Sequence, residues 1–545
     1  MKGRIWFSAV MALVGASLLV AASASGGTTG ASAASQTAAQ KGGTHRILNT
    51  SDFDHIDTAL SYFTHSWNLA GATQLRMYWY PYVAGAASER IAPMAAQGQP
   101  RVSNNGRRYT ITIKQGFRFS NGQPVTSANF KRSFDRATNA KLQSPASSFL
   151  DDVANVQAPN ARTLVINLKR VAPDFLSRIT MPFFSAVLTS TPLDTEVTAG
   201  PLHSAGPYYL SEWNRRTSAL VVRNPNWNNA REPFKSLGLQ NNVDRITWAG
   251  IGGDLATHRL QCENNEADAC GFPTSAAKEL ADKYGINKGR FMVDTDLLVW
   301  RVDLNNDQPL FKDNPKLRQA VLHAIDRRFM TAQHGYLAGK RTDQFIPYGM
   351  AGFKEANIYS IKGPNYARAR TLAQGSTRTG KAIFYAFNRA PGPAVAQSVQ
   401  FNLKQIGLDV EIKLFDRVVQ NTKAATRGEA FDITHEGWHA DYPDPSNFIN
   451  VLLDGRKIQA ENNVNSSYFT GNGVAGYNAK LDRAFSATGA QRLNLYAALD
   501  RDIMANGAPT ATYISGTSRR FFSASVGCFV SNAQVGTVLT TICKK

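Results

Sequence analysis

The sequence predicts an exported α/β protein of several domains. Three observations carry that expectation: a leader-like N-terminus, a β-α-β pattern between residues 382 and 414, and a chain too long for one hydrophobic core. At 545 residues, and roughly 150 residues per domain, about three domains are expected.

The N-terminus begins Met1-Lys2-Gly3-Arg4, runs apolar from Ile5 to Ala22 and ends on small residues at Ala22-Ser23-Ala24. These are the basic, apolar and small-residue parts of a secretory signal, so residues 1–24 read as a signal peptide cut after Ala24. An uncleaved anchor is the competing reading, because the run approaches the lower limit of a spanning helix. Gly15, Ser17 and many alanines weaken it. Residues 25–43, rich in Ala, Ser, Thr and Gly, have almost nothing to bury and read as a flexible linker. No cysteine lies near the leader, so an N-terminal lipid anchor is not expected. The protein belongs by this reading in a periplasm, or at the outer face of the cell membrane or cell wall.

Export implies oxidising conditions, which favour cysteine pairing. The four cysteines fall into two sequence neighbours, Cys262 with Cys270 and Cys528 with Cys543, and two local disulfides are expected among the three pairings formally possible. Neither pair has the histidine spacing of a zinc site. Lys and Arg total 60 against 40 Asp and Glu, a net charge of +20. Such a charge favours anionic surface polymers or headgroups, or simply solubilises the surface. Nucleic acid is a poor partner for an exported chain whose basic residues are scattered.

Three stretches anchor the architecture. Tyr109, Ile111 and Ile113 alternate with polar neighbours, and Phe117 and Phe119 follow Gly116, which predicts a pair of half-buried strands. Asn121-Gly122 makes a turn, and Thr126 or Ser127 caps a helix with Phe130, Phe134 and Ala137 on one face. Further on, Asn314-Pro315 supplies a cap and first-turn proline for a helix with Leu317, Val321, Ala324, Ile325 and Phe329 in its core stripe. Then comes the β-α-β unit. Residues 382–387 form a strand, Val395, Val399, Leu403 and Ile406 a helical stripe stopped by Gly407, and Leu408, Val410, Ile412 and Leu414 a second strand.

The most informative segment is Glu436-Gly437-Trp438-His439-Ala440-Asp441-Tyr442-Pro443-Asp444-Pro445. It places an aromatic ring and a carboxylate on an irregular turn after a strand over 430–434. An indole face packs against a ligand, and a carboxylate accepts hydrogen bonds from an ammonium group. Ligands gather beyond the carboxyl ends of strands in open α/β sheets. The same residues hold the zinc-protease pattern His435-Glu436-Gly437-Trp438-His439, which needs both imidazoles on one helical face. A strand before it, Gly437 inside it, and Pro443 and Pro445 after it argue against that helix. A secreted zinc peptidase using His435, Glu436 and His439 is therefore the alternative and not the leading reading.

Several blocks also carry a family resemblance. Tyr109-Thr-Ile-Thr-Ile-Lys-Gln-Gly-Phe-Arg-Phe-Ser-Asn-Gly-Gln-Pro-Val-Thr resembles the "YTF-x-L-R-x-G-x-x-F-x-D-G-x-P-x-T" block of peptide-type extracellular solute-binding proteins of ABC importers. Gly206-Pro207-Tyr208 with Arg223-Asn224-Pro225-Asn226-Trp227 looks like its "G-P-Y … R-N-P-x-Y/W". The stretch from Asn305 to Arg327, with Pro309-Leu-Phe-Lys-Asp and Ala324-Ile-Asp-Arg, is a third match. Gly437 to Pro445 is the fourth.

The resemblance implies a two-lobed periplasmic-binding-protein-like fold of type II, cluster C-like, with an extra α+β domain. Lobe I would comprise 44–75, 191–297 and 506–545, the extra domain 76–190, and lobe II 298–505. Hinges would fall at Val299-Trp300-Arg301 and Pro509-Thr510-Ala511. It also implies a monomer that performs no chemistry, needs no cofactor, takes peptides or peptide-like solutes, and hands them to membrane permease subunits. By the family's "W-x-x-D-Y" pattern, Asp441 would pair with the ligand's terminal ammonium, with Trp438 as an aromatic wall and Gly437 leaving backbone open to an extended ligand. His439 and Tyr442 complete the expected ligand-binding set. The structural alternatives stay open: Asp441 capping the proline turn, Trp438 filling the core. His435 stands where some oligopeptide binders carry an arginine for the ligand's carboxylate, a departure from the pattern.

Overall fold

A computed structural model describes residues 40–83, 90–231, 234–376, 381–532 and 536–545. The expected signal peptide and most of the expected linker lie outside these residues. The centre of the molecule is an 11-stranded mixed sheet. From edge to edge its strands are Val410–Phe415, Ala382–Phe387, Ile433–His439, Phe291–Leu304, Thr510–Phe522, Ala269–Cys270, Thr44–Leu48, Arg245–Ala249, Ser218–Arg223 and Tyr208–Asn214, with Gly339–Arg341 pairing off Thr510–Phe522. The two longest strands, Phe291–Leu304 and Thr510–Phe522, run antiparallel through the middle. On one side of them Ala382–Phe387 is parallel to both its neighbours; on the other, Thr44–Leu48 is parallel to both of its own.

The register between the two central strands shifts between Thr295 and Val299 and again between Trp300 and Arg301. Such irregularities bend a strand and loosen its ladder. Separate cores lie to either side. One is drawn from residues between Leu297 and Ile514. Another gathers Phe53, Ile56, Tyr208, Val221, Ile246 and Trp248. A third surrounds a four-stranded antiparallel sheet, Arg101–Ser103, Arg108–Thr112, Thr163–Leu168 and Val153–Asn160 in that order, covered by the helix Ser127–Ala137.

Local chemistry explains these elements. Thr126 and Asn129 form a reciprocal capping box at the start of Ser127–Ala137, and Phe130, Phe134 and Ala137 are buried as the stripe requires. The predicted strand forms over Arg108–Thr112, with Ile113 in an isolated bridge to Ala96, but Phe117 and Phe119 do not make a second regular strand. Only an isolated bridge joins Arg118 to Pro124, because the turn at Gly122 folds the chain straight back. The Gly206-Pro207 block is a close contact: a Cβ on Gly206 would sit 2.5 Å from the Thr73 backbone. Asn224 seals it, its Nδ2 donating to Gly206 O at 2.9 Å.

The helix predicted from Asn314-Pro315 is broken in two. Asn314 caps Pro315–Ala324, as its side chain accepts from Leu317 N, but Ile325 turns extended and Asp326 caps a second helix, Arg327–Gln333. Phe329 is therefore exposed rather than in the core. The buried side chains Arg318 and Arg327 tie both helices to the surrounding chain. Arg318 donates to Gly507 O and Phe311 O, and Arg327 to Thr512 O and Leu322 O. The β-α-β unit forms over Ala382–Phe387, Gly392–Lys404 and Val410–Phe415. Val395, Val399, Leu403 and Ile406 are buried along it, and Gly407 turns out with φ 76°. Both disulfides join the expected partners, Cys262 with Cys270 and Cys528 with Cys543. Among the described residues no helix is long and apolar enough to cross a membrane.

Candidate functional site

The strand Ile433–His439 runs further than the alternation over 430–434 predicts. Gly437, Trp438 and His439 belong to it, and only Ala440 onward is irregular. The extension follows from pairing: every residue from Ile433 to His439 faces a partner on Phe291–Leu304, ending with His439 opposite Leu298. His435 and His439 are thus four residues apart in extended chain, roughly 13 Å, and cannot share a zinc ion. Each has its own partner. His435 is fully buried, with Nε2 2.7 Å from the Tyr513 hydroxyl. Burial, with His334 and Arg417 nearby, holds its pKa well below the ordinary imidazole range. His439 Nε2 lies 2.6 Å from Asp296 Oδ1. Burial opposes a charged ring there, but the Asp296 carboxylate outweighs it and raises the His439 pKa.

Glu436 belongs to a different network. Its carboxylate accepts from Gln420 Nε2 at 2.8 Å and from Arg417 Nη2 at 3.3 Å. Gly437 is a glycine because Trp300 crosses it: a Cβ there would meet the indole at 2.9 Å. The space expected to admit a ligand backbone is occupied by that ring.

Asn447 organises the turn, and sequence reasoning missed it. Its Oδ1 accepts from Trp438 Nε1 and from the Asp441 backbone N, both at 3.0 Å, while its Nδ2 donates to Asp441 Oδ2 at 2.9 Å. It sits fully buried in the first turn of Ser446–Leu452, so it fixes ring and carboxylate relative to each other. An Asn six residues beyond an Asp carries no sequence signal by itself. The Tyr62 hydroxyl is a second polar neighbour that favours the charged Asp441 carboxylate.

Asp441 is consequently held by neutral donors, and among the described residues it makes no ion pair with lysine or arginine. Burial pushes its carboxyl up to about 6, against the hydrogen bonds from Asn447 and Tyr62 and the charge of His439. A small part of its surface stays open to solvent. An enclosed carboxylate with no lysine or arginine hydrogen-bonded to it is costly, and a positively charged guest relieves that cost. Trp438 rests against the large core while remaining partly exposed.

Tyr442 goes elsewhere. Its side chain is 3% exposed. Its hydroxyl donates to Asp174 Oδ2 at 3.1 Å, and its ring stands edge-on to Phe149, both from the region of the four-stranded sheet. The aspartates before Thr58 are likewise committed: Asp57 forms a two-pronged pair with Arg136 at 2.6 Å, and Asp54 accepts from the Tyr62 backbone N at 2.7 Å.

The acidic turn follows a strand that runs beside the two bulged central strands of the mixed sheet. Comparison with known proteins identifies the family. Residues 90–460 match the model of bacterial extracellular solute-binding proteins, family 5, and this chain belongs to that family, whose members capture solutes for ABC importers. It is 24% identical over 425 residues to the probable D,D-dipeptide-binding periplasmic protein DdpA of Escherichia coli strain K12, covering 75% of this chain and 77% of that one. Among solved structures, clavulanic acid biosynthesis oligopeptide binding protein 2 superposes with a TM-score of 0.83 at 22% identity, over 93% of this chain and 96% of that one. The periplasmic binding protein DppA from Helicobacter pylori, in complex with peptide STSA, gives 0.75 at 19% identity, over 93% and 98%.

Proposed function

We propose that this protein captures a peptide or peptide-like solute by its free terminal amine and delivers it to the permease of an ABC importer. The observation that carries this reading is Asp441, a carboxylate enclosed by protein, oriented by Asn447, and without a lysine or arginine partner among the described residues. An ammonium group supplies that missing charge. Relatives named for dipeptides, oligopeptides and glutathione support the ligand class.

Capture proceeds by closure, with the register shifts at Thr295–Val299 and Trp300–Arg301 as the bend points. The return strand would bend from the expected Pro509-Thr510-Ala511 onward, where Thr512 to Thr517 face those register shifts. The boundaries that fit this motion are lobe I at 44–75, 191–297 and 506–545, the extra domain at 76–190, and lobe II at 298–505. The protein works as a monomer outside the membrane. Closure and affinity are coupled, since a ligand favours the closed state only by binding it better. Native mass spectrometry of the protein as purified tests the ligand class. A retained mass matching a short peptide is the expected result; a sugar, a metal chelate or stoichiometric zinc would overturn the reading.

A further inference from the structure

The contact between the four-stranded-sheet region and the loop after Asp441 has a composition unlike ordinary surface packing. Asp174, which starts the short helix Phe175–Arg178, is 1% exposed. Its Oδ2 accepts from Tyr442 Oη at 3.1 Å and from Ser446 Oγ at 2.7 Å, 268 and 272 residues away in sequence. Its Oδ1 forms an ion pair with Arg178 Nη2 at 2.8 Å, and Arg178 Nη1 donates to Asp152 Oδ2 at 2.8 Å.

Above this network Phe485, from the helix Tyr477–Ser486, receives three guanidinium groups. Arg170 and Arg178 come from one side of the seam and Arg492 from its own, at 5.9, 5.6 and 5.7 Å from the ring centre. Arg492 is itself anchored to Asp444 Oδ1 at 2.7 Å, in the same loop. Hydroxyl donors from one body and a pre-charged acceptor from the other thus meet with water excluded. The pieces on each side are internally complete: Asp174 keeps Arg178 and Arg492 keeps Asp444 when the two sides part.

We propose that this seam is a closure latch. Asp174, through Tyr442 and Ser446, holds the closed state by contacts the ligand does not make, and so sets the affinity for every ligand by one common factor. The proposal rests on the reading that the protein closes on its ligand. A seam whose halves are separately satisfied can open without stranding a buried charge, which suits a reversible clasp better than a permanent core. Its hydrogen bonds to a charged acceptor are strong enough when made to shift an open–closed balance roughly tenfold. Tyr442 follows Asp441 directly, so the clasp also fixes where the binding carboxylate stands.

The test uses the full-length mature chain with spin labels at Lys141→Cys and Ala490→Cys, one on each side of the seam, read by pulsed dipolar spectroscopy without ligand. Asp174→Asn and the milder Tyr442→Phe should each move population towards the longer distance. Calorimetry with trialanine, trilysine and Gly-Phe-Gly should show all of them weakened by the same factor, about three- to tenfold, through faster release. Unchanged distances in both variants would overturn the latch. So would affinity losses differing from peptide to peptide, which would make Asp174 a recognition residue. If none of the three peptides binds the wild-type protein, the peptide reading fails while the distance measurement still decides the latch.

Discussion

Two enclosed carboxylates, Asp57 and Asp441, are built on opposite plans. Asp57 is 2% exposed and fully provided for: both oxygens are gripped by Arg136 at 2.6 Å, and the backbone N–H groups of Ala59 and Val197 donate to it as well. Asp441 has only neutral donors and a carboxyl raised to about 6 by burial. The first arrangement carries its own paired cation; the second, among the described residues, has no lysine or arginine beside it, and the proposed function assigns that place to a ligand's ammonium group.

Mutation separates the two plans most sharply. Asp57→Ala strands a buried guanidinium and should cost about 3–5 kcal/mol of stability, read as a lower denaturant midpoint. Asp441→Ala should leave stability unchanged or raise it by about 1–2 kcal/mol, since it removes a carboxylate that folding desolvates. Equal destabilisation by both would erase the distinction.

Asn447→Ala comes next. Losing the amide that holds Trp438 and Asp441 should weaken ligand binding by roughly 1–3 kcal/mol. Normal affinity in that variant would show that the turn holds its shape without it.

The pH dependence is subtler and carries opposite signs. A carboxyl raised to about 6 in the folded chain, against roughly 3.9 unfolded, adds stability to the ligand-free protein as pH falls from about 6 to 4, because the folded state binds the extra proton. The same proton abolishes the charge an ammonium ligand needs. Affinity for a free-amine peptide should therefore fall about fivefold between pH 6 and 5. A flat profile would mean that Asp441 does not meet the ligand's charge. Smallest of all, Phe329→Ser should change stability by less than about 0.5 kcal/mol, because the helix break at Ile325 leaves that ring in solvent.

Most of the architecture was legible because its signals are local. The capping box at Thr126, the Asn314 cap and the β-α-β periodicity each act within a few residues. The break at Ile325 was not, because the helical stripe continues through Phe329 and only Asp326 re-capping the chain reveals the interruption. The site was half legible. Trp438 and Asp441 stood out as residue types suited to a ligand, whereas Asn447 acts through three hydrogen bonds that no spacing announces. Gly437 and Tyr442 also have neighbours that no spacing announces, Trp300 and Asp174, both over a hundred residues away. The zinc pattern at His435–His439 shows the converse: a motif acts only on the secondary structure it assumes, and here the chain is a strand.

Calorimetry at pH 7 with one peptide in free-amine and N-acetylated forms tests the central claim most directly, using the peptide recovered from the purified protein. Acetylation should weaken binding to the wild-type chain by more than tenfold and make no further difference in Asp441→Ala. Equal affinity of the wild-type protein for both forms would contradict the account.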